Sequence, residues 1–375
     1  MTYLWVTLGV ALIAAVVIDI WLTILHPDAE GAIAGAVRRL VWRASSIIAG
    51  RRREPHRTPL VWAGPVLVTG TFLAWIAPLV LGVALVVWPY IDGYHRIAGY
   101  GPAGFDDALY FAAGTLTVLG FGDLTPDTPA QKLFTVCVGA LGFALFAALA
   151  TYLIELITGL SVRNGFALAV HDQVRGTDGV GLLARSLTDE GLDAARQRCA
   201  AWAESLRAID DTVRRYPLVA LTYRPRRPDY DIEPALEQVT EATVAALLAA
   251  RCDAWRGLGP RAEELAYALL RTQDTIARRY LGGTVPDGVA VRPTDLSADT
   301  SADLSSDAEQ ALRRLHRRLA DELDSQPGDE PGGGFDQPVP TDGLAMEVLS
   351  RSLTFLDGLR GWSAPAVRLR HPDRS

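Results

Sequence analysis

The sequence predicts an all-α membrane protein: three spanning helices, followed by a helical domain outside the bilayer. Three observations lead there. Residues 4–25, 60–87 and 130–160 form apolar runs, each long enough to cross a hydrocarbon core of about 30 Å. Hydrophobic residues make up 49% of the 375 and the mean hydropathy is +0.16, although 21% of the residues are charged. Those values agree because the apolar residues crowd into the first 160 positions. Beyond them, apolar residues recur at helical spacing and strand signals are few. Three segments follow: a first span with a basic linker (1–58), a membrane module (59–160) and a helical cytoplasmic domain (161–375).

Composition excludes several classes. The net charge of −7 gives no basic surface for nucleic acid. Only one lysine occurs, Lys132, so nearly all basic charge is arginine. Cys137, Cys199 and Cys252 are scattered and suggest neither a disulfide framework nor a metal site. No histidine stands at metal-ligand spacing. No Ser/His/Asp set or carboxylate pair is readable, so the chain is read as a protein without enzyme activity or bound cofactor.

The first run lacks a basic start and a small-residue cleavage site, so it reads as a span and not as a removable signal. Asp19 lies inside it. An ionisable residue at membrane depth is a functional candidate. The preferred alternative has Asp19 facing the bundle, hydrogen-bonded to Thr23 or to a neighbouring helix. Seven arginines follow: Arg38, Arg39, Arg43, Arg51, Arg52, Arg53 and Arg57. The excess of positive charge puts this linker on the cytoplasmic side. Ile33, Val37, Leu40, Val41, Ala44, Ile47 and Ile48 recur at helical spacing. An amphipathic helix on the inner leaflet is expected, either as a topology anchor or in contact with acidic lipids. The arginines are not spaced every third residue along an apolar span, which argues against a voltage sensor.

The second run contains Pro65 and Pro78, and Pro78 is expected to kink it. Trp88 and Tyr90 read as an interfacial aromatic belt. Residues 91–104 read as a Gly-rich loop. A short helix is expected over 105–117, capped by Asp106 or Asp107. Residues 91–130 carry Asp92, Asp106, Asp107, Asp123 and Asp127 against the single Arg96. They are either a cation-gathering surface or ordinary loop and cap residues.

The run from Thr115 to Pro126, T-L-T-V-L-G-F-G-D-L-T-P, sits between two apolar spans. With the short helix before it, it resembles the pore module of potassium-channel-type cation channels, over about residues 60–160. In that family an outer helix, a re-entrant pore helix, a filter strand and an inner helix follow one another. The family pattern T-V-G-Y-G-D matches Val118, Leu119, Gly120, Phe121, Gly122 and Asp123, with Thr117 flanking. The resemblance implies potassium ions held by backbone carbonyls of residues 118–122, which replace the water shell of the ion. Gly120 and Gly122 supply the dihedrals that such a strand needs. The pore helix would turn the negative end of its dipole to the ion. Three departures stand out. Val118 replaces a threonine and removes a hydroxyl ligand. Leu119 replaces valine, and Phe121 replaces tyrosine. Cation conduction is therefore better supported than strict potassium selectivity.

The third run is the expected inner helix. Gly142 stands 20 residues past Gly122, where channels resembling this one often bend. Close helix packing by Gly139 and Gly142 is the equal alternative. Phe143 and Phe146 would narrow a cavity or simply pack. Glu155 is either an inner-mouth carboxylate or a helix-end group reaching water. An odd number of spans puts the N-terminus outside and residues 161–375 in the cytoplasm, with the filter opening outward at the plasma membrane. One filter sequence per chain implies a homotetramer.

In the cytoplasmic half, helices are expected at 182–214, 234–255, 260–281, 304–324 and 342–361. Pro234 and Asp307 act as start signals, and Tyr216-Pro217 ends the first helix. Residues 283–306 and 325–341 are rich in Pro, Gly, Asp and Ser and read as mobile. No dinucleotide-binding fingerprint or cyclic-nucleotide barrel is recognisable. Arg214, Arg215, Arg224, Arg226 and Arg227 form a basic cluster, read as solvated helix ends before an anion site. The expected function is passive cation conduction, with potassium as the expected ion. The alternative is a non-conducting pore homologue that serves as a membrane-anchored receptor or scaffold.

Overall fold

A computed structural model describes residues 2–24, 26, 31–51, 62–96, 103–215, 223, 225, 227–281, 298–324 and 343–363. Arg52, Arg53, Arg57, Tyr216, Pro217, Arg224 and Arg226 lie outside the described residues. So do positions 283–297, the whole of 325–341, and the side chains of Ile47 and Ile48. The described chain is all-α apart from two three-residue strands. It forms two compact units, residues 2–45 with 62–158, and residues 159–215 with 227–363.

In the first unit, α1 (Thr2–Ile24) packs along α3 (Ala63–Val87). They approach closely at Gly9 and Gly82, where an added Cβ on either would press into the other helix. Between them in sequence lies α2 (Ala32–Arg51). After α3 the chain makes a 3-10 turn, Trp88–Gly93, and then β1 (Tyr94–Arg96). Next come α4 (Phe105–Leu116), β2 (Leu124–Pro126) and α5 (Pro129–Gln173). β1 and β2 are antiparallel, with Tyr94 opposite Pro126, His95 opposite Thr125 and Arg96 opposite Leu124. Part of the loop expected at 91–104 is therefore a turn and a strand. Its partner strand lies beyond α4 in the chain, so no local signal announces the pairing.

Among the described residues, three helices, spanning Thr2–Ile24, Ala63–Gly93 and Pro129–Gln173, are long and apolar enough to cross a membrane. The third outruns the expected 130–160 by thirteen residues. Hydropathy marks where the bilayer would end, whereas helix formation needs only suitable backbone and side chains.

The second unit contains α6 (Gly179–Thr188), α7 (Leu192–Arg215), α8 (Ile232–Ala249), α9 (Gly259–Tyr280), α10 (Ala298–Asp324) and α11 (Gly343–Ser363). α8 is the centre, with an unbroken buried stretch from Ala242 to Ala249. The expected 182–214 helix is two helices. Gly191, at φ 91°, makes the turn between them in a left-handed conformation. The expected 234–255 helix stops at Ala249, and a 3-10 segment, Asp253–Leu258, follows. Asp307 does not start its helix, because α10 already begins at Ala298.

Polar locks tie these helices together. The Gln273 amide donates to Ser352 Oγ at 2.9 Å, both buried. Arg351 bridges Asp274 at 2.5 Å and Glu347 at 3.1 Å. Asp178 caps α6 by accepting from the Gly181 amide at 2.9 Å. The described members of the basic cluster have local partners or helix-end positions. Arg215 pairs with Asp211 at 2.9 Å, Arg227 pairs with Asp229 at 2.6 Å, and Arg214 ends α7.

Candidate ion-conduction site

α4 begins where Gly104 adopts an extended backbone. Of the two capping candidates, Asp107 does the work. Its Oδ2 accepts from the Gly104 amide at 2.9 Å and from Arg96 Nη2 at 2.8 Å. One of the five outer aspartates is thus neutralised by the single nearby arginine. Phe111 on the buried side of α4 meets Tyr94 edge-on, with centroids 5.0 Å apart. Burial pushes the Tyr94 phenol up, and a hydrogen bond with Thr135 opposes that in part.

At the other end of α4 the chain leaves the helix without leaving contact with it. The Thr117 hydroxyl donates back to the Ala113 carbonyl at 2.7 Å. The Val118 amide donates to Thr115 O at 3.1 Å. The Leu119 and Gly120 amides share the Gly114 carbonyl, at 2.9 and 3.3 Å.

The dihedrals beyond alternate in hand. Val118 has φ 60°, Gly120 φ 55° and Gly122 φ 83°, whereas Leu119 and Phe121 between them are not left-handed. Such alternation turns successive carbonyls to one side of a strand. For the glycines the conformation is free of steric cost. For β-branched Val118 it costs about 1–3 kcal/mol, and it persists only because neighbouring bonds hold it. Phe121 turns back onto α4 and stacks on Tyr110, 5.8 Å between centroids and 15° between planes.

Below the strand lies an apolar cavity of about 310 Å³. Its walls come from Ile76 and Leu79 of α3, from residues 116–118 and from α5 between Gly142 and Leu149. Gly142 is the seat of α4: an added Cβ would collide with the Leu116 carbonyl. α5 continues as helix through this point, so close packing is the role its surroundings display. Phe143 and Phe146 stand 66% and 72% exposed in the single chain. Glu155 is exposed further along α5.

Asp19 is 4% exposed. Its carboxylate accepts from Trp75 Nε1 and the Ile33 amide, both at 2.8 Å, and from the Ala34 amide at 3.4 Å. It therefore caps α2 from another helix and ties both to α3. Gly31 fits because any Cβ there would strike the carboxylate. Thr23 assists: its hydroxyl donates to Asp19 O at 2.8 Å and accepts from the Gly31 amide at 3.0 Å. The expected bond to a neighbouring helix is present, whereas Thr23 meets the Asp19 backbone and not its carboxylate.

Sequence reasoning missed Gly114 as the strand's anchor, Trp75 and Gly31 around Asp19, and the Arg96–Asp107 pair. Only the last had a signal: one base among five acids.

Two membrane-length helices thus flank a short helix and a segment of alternating hand. Residues 67–159 match the family model described as "Ion channel". This segment, about a quarter of the chain, is therefore similar to ion-channel pore modules. It is 28% identical over 167 residues to the uncharacterized membrane protein YdjJ of Bacillus subtilis (strain 168), covering 44% of this chain and 48% of that one. It is 33% identical over 96 residues to two pore potassium channel c of Oryza sativa subsp. japonica, covering 24% and 21%. It is 37% identical over 82 residues to two-pore potassium channel 2 of Arabidopsis thaliana, covering 21% and 18%. The chain spans about half the length of the first of these relatives and about a fifth of the other two. No solved structure matches it.

Proposed function

We propose that the chain is the subunit of a passive cation channel, with potassium as the permeant ion. Backbone carbonyls of Val118, Leu119, Gly120, Phe121 and Gly122 would replace the hydration shell of the ion, with Thr117 and Asp123 at the two ends. Assembly as a homotetramer in the plasma membrane would close the carbonyl rings. The basic residues of α2 would meet acidic lipid headgroups on the cytoplasmic leaflet, and residues 161–375 would lie in the cytoplasm and regulate or assemble the pore. Gly142 and Glu155 are the candidate bend and inner mouth.

The observation that carries this reading is the alternation of hand at Val118, Gly120 and Gly122, directly after a pore helix whose Gly114 carbonyl holds the strand. The two-pore potassium channels among the relatives support it. The test is potassium and sodium flux from liposomes holding the purified chain, beside Gly120→Asp. Potassium flux that Gly120→Asp abolishes is the expected result. Absence of potassium flux from a well-folded assembly would overturn the reading.

A second reading has its own support: a non-conducting receptor or scaffold. Val118 lacks the hydroxyl of the family's threonine. Val118→Thr separates the two, because restored flux would assign the defect to that one ligand.

A further inference from the structure

We propose that Arg96 is a positioning residue for the filter, fixing its outer end through the ion pair with Asp107. This rests on the channel reading above. The strand from Val118 to Asp123 has two ends and needs two anchors. The inner anchor is local: the Leu119 and Gly120 amides bond to Gly114 O at the end of α4. The outer end runs directly into β2 at Leu124. β2 pairs with β1, and Arg96 is the β1 residue opposite Leu124. Arg96 Nη2 then reaches Asp107 Oδ2 at 2.8 Å, at the start of the same α4.

Pore helix, filter, β2, β1 and the ion pair therefore form a closed ring. The pair is the charged link in that ring, beside the edge-on contact of Tyr94 with Phe111. Its side chains are only 20% and 27% exposed, so solvent screens it less than an open surface pair. Asp107 Oδ2 also accepts from the Gly104 amide, so one carboxylate serves both the helix start and the strand. Opening the ring would let the β1–β2 ribbon shift, and Gly122 and Asp123 with it. Two short strands alone do not hold a register firmly. The spacing of the carbonyls decides which ion is rehydrated well. Arg96 thus acts on selectivity without touching the ion.

The experiment compares full-length wild type, Arg96→Gln, Asp107→Asn, the double variant and Arg96→Lys in liposomes. Asp107→Asn keeps an acceptor for Gly104 and removes only the charge. The readouts are the potassium-to-sodium flux ratio and hydrogen exchange of the amides from 119 to 123. The expected result is a ratio that falls roughly threefold or more in either single variant, with faster exchange. The double variant should be no worse than either single one, and Arg96→Lys should stay near wild type. Unchanged ratio and exchange in Arg96→Gln would overturn the proposal, as would two single effects that simply add. If Arg96→Gln fails to assemble, Asp107→Asn and Arg96→Lys carry the comparison. If wild type conducts no potassium, the channel reading fails. Exchange then decides alone whether the pair anchors the strand: unchanged rates overturn it.

Discussion

Phe146 and Phe355 are the same side chain in opposite circumstances. Phe146, on α5 of the first unit, is 72% exposed, whereas Phe355, on α11 of the second, is fully buried. The contrast extends to whole elements. α5 presents Leu133, Val136, Phe143 and Phe146 outward. α8 turns almost every residue from Ala235 to Ala249 inward. The second unit closes its own core and leaves many of its arginines and carboxylates on the surface. The first unit has its core between α1, α3 and α4, and leaves much other apolar surface exposed. A water-soluble fold hides its apolar area by tertiary packing. A membrane unit keeps it outside, since lipid is as apolar as leucine.

Substitutions sharpen that difference. Phe355→Ala should cost about 3–5 kcal/mol, read as loss of the second unit's transition in denaturant unfolding of the full chain. Phe146→Ala should change the same measurement by less than about 0.5 kcal/mol. A comparable cost for both would break the comparison. Gly142→Ala pushes a methyl into the Leu116 backbone and should destabilise the first unit by about 1–3 kcal/mol, with the second unit's unfolding unmoved. Asp19→Asn belongs to the same range, about 1–3 kcal/mol. All three partners of the carboxylate are N–H donors, and an amide nitrogen facing any of them accepts nothing. Tryptophan emission should report the release of Trp75.

The smallest effect concerns pH. His316 is buried on α10, and burial lowers its pKa from the ordinary value. The unfolded chain therefore takes up the proton first. The contribution of His316 to stability is complete above about pH 6.5 and is lost as the pH falls from there toward the lowered folded value. His316→Gln should flatten that acid slope in thermal unfolding between pH 7.5 and 5, and leave the first unit's response unchanged.

Much of the architecture was legible because its causes are local. The three apolar helices follow from run length, α2 from arginines beside a helical apolar stripe, and α4 from an acidic start and a Gly-rich end. The break at Gly191 was equally local, a glycine in left-handed conformation. A continuous apolar period across 182–214 masked it. The end of α5 was misplaced because an apolar run measures the bilayer and not the helix.

The sequence by itself determined which segments are apolar for a membrane's width, which are amphipathic, and where glycines permit a left-handed strand. Those properties depend on neighbours within a turn or two. The tertiary structure alone decided that Asp19 caps α2 and holds Trp75, that Leu116 rests on Gly142, and that Arg96 reaches Asp107 while its strand pairs with residues 124–126. Each joins residues from different elements. Burial makes the pairing matter, because a carboxylate or amide removed from water must find its partner within the protein, and only the fold brings that partner near.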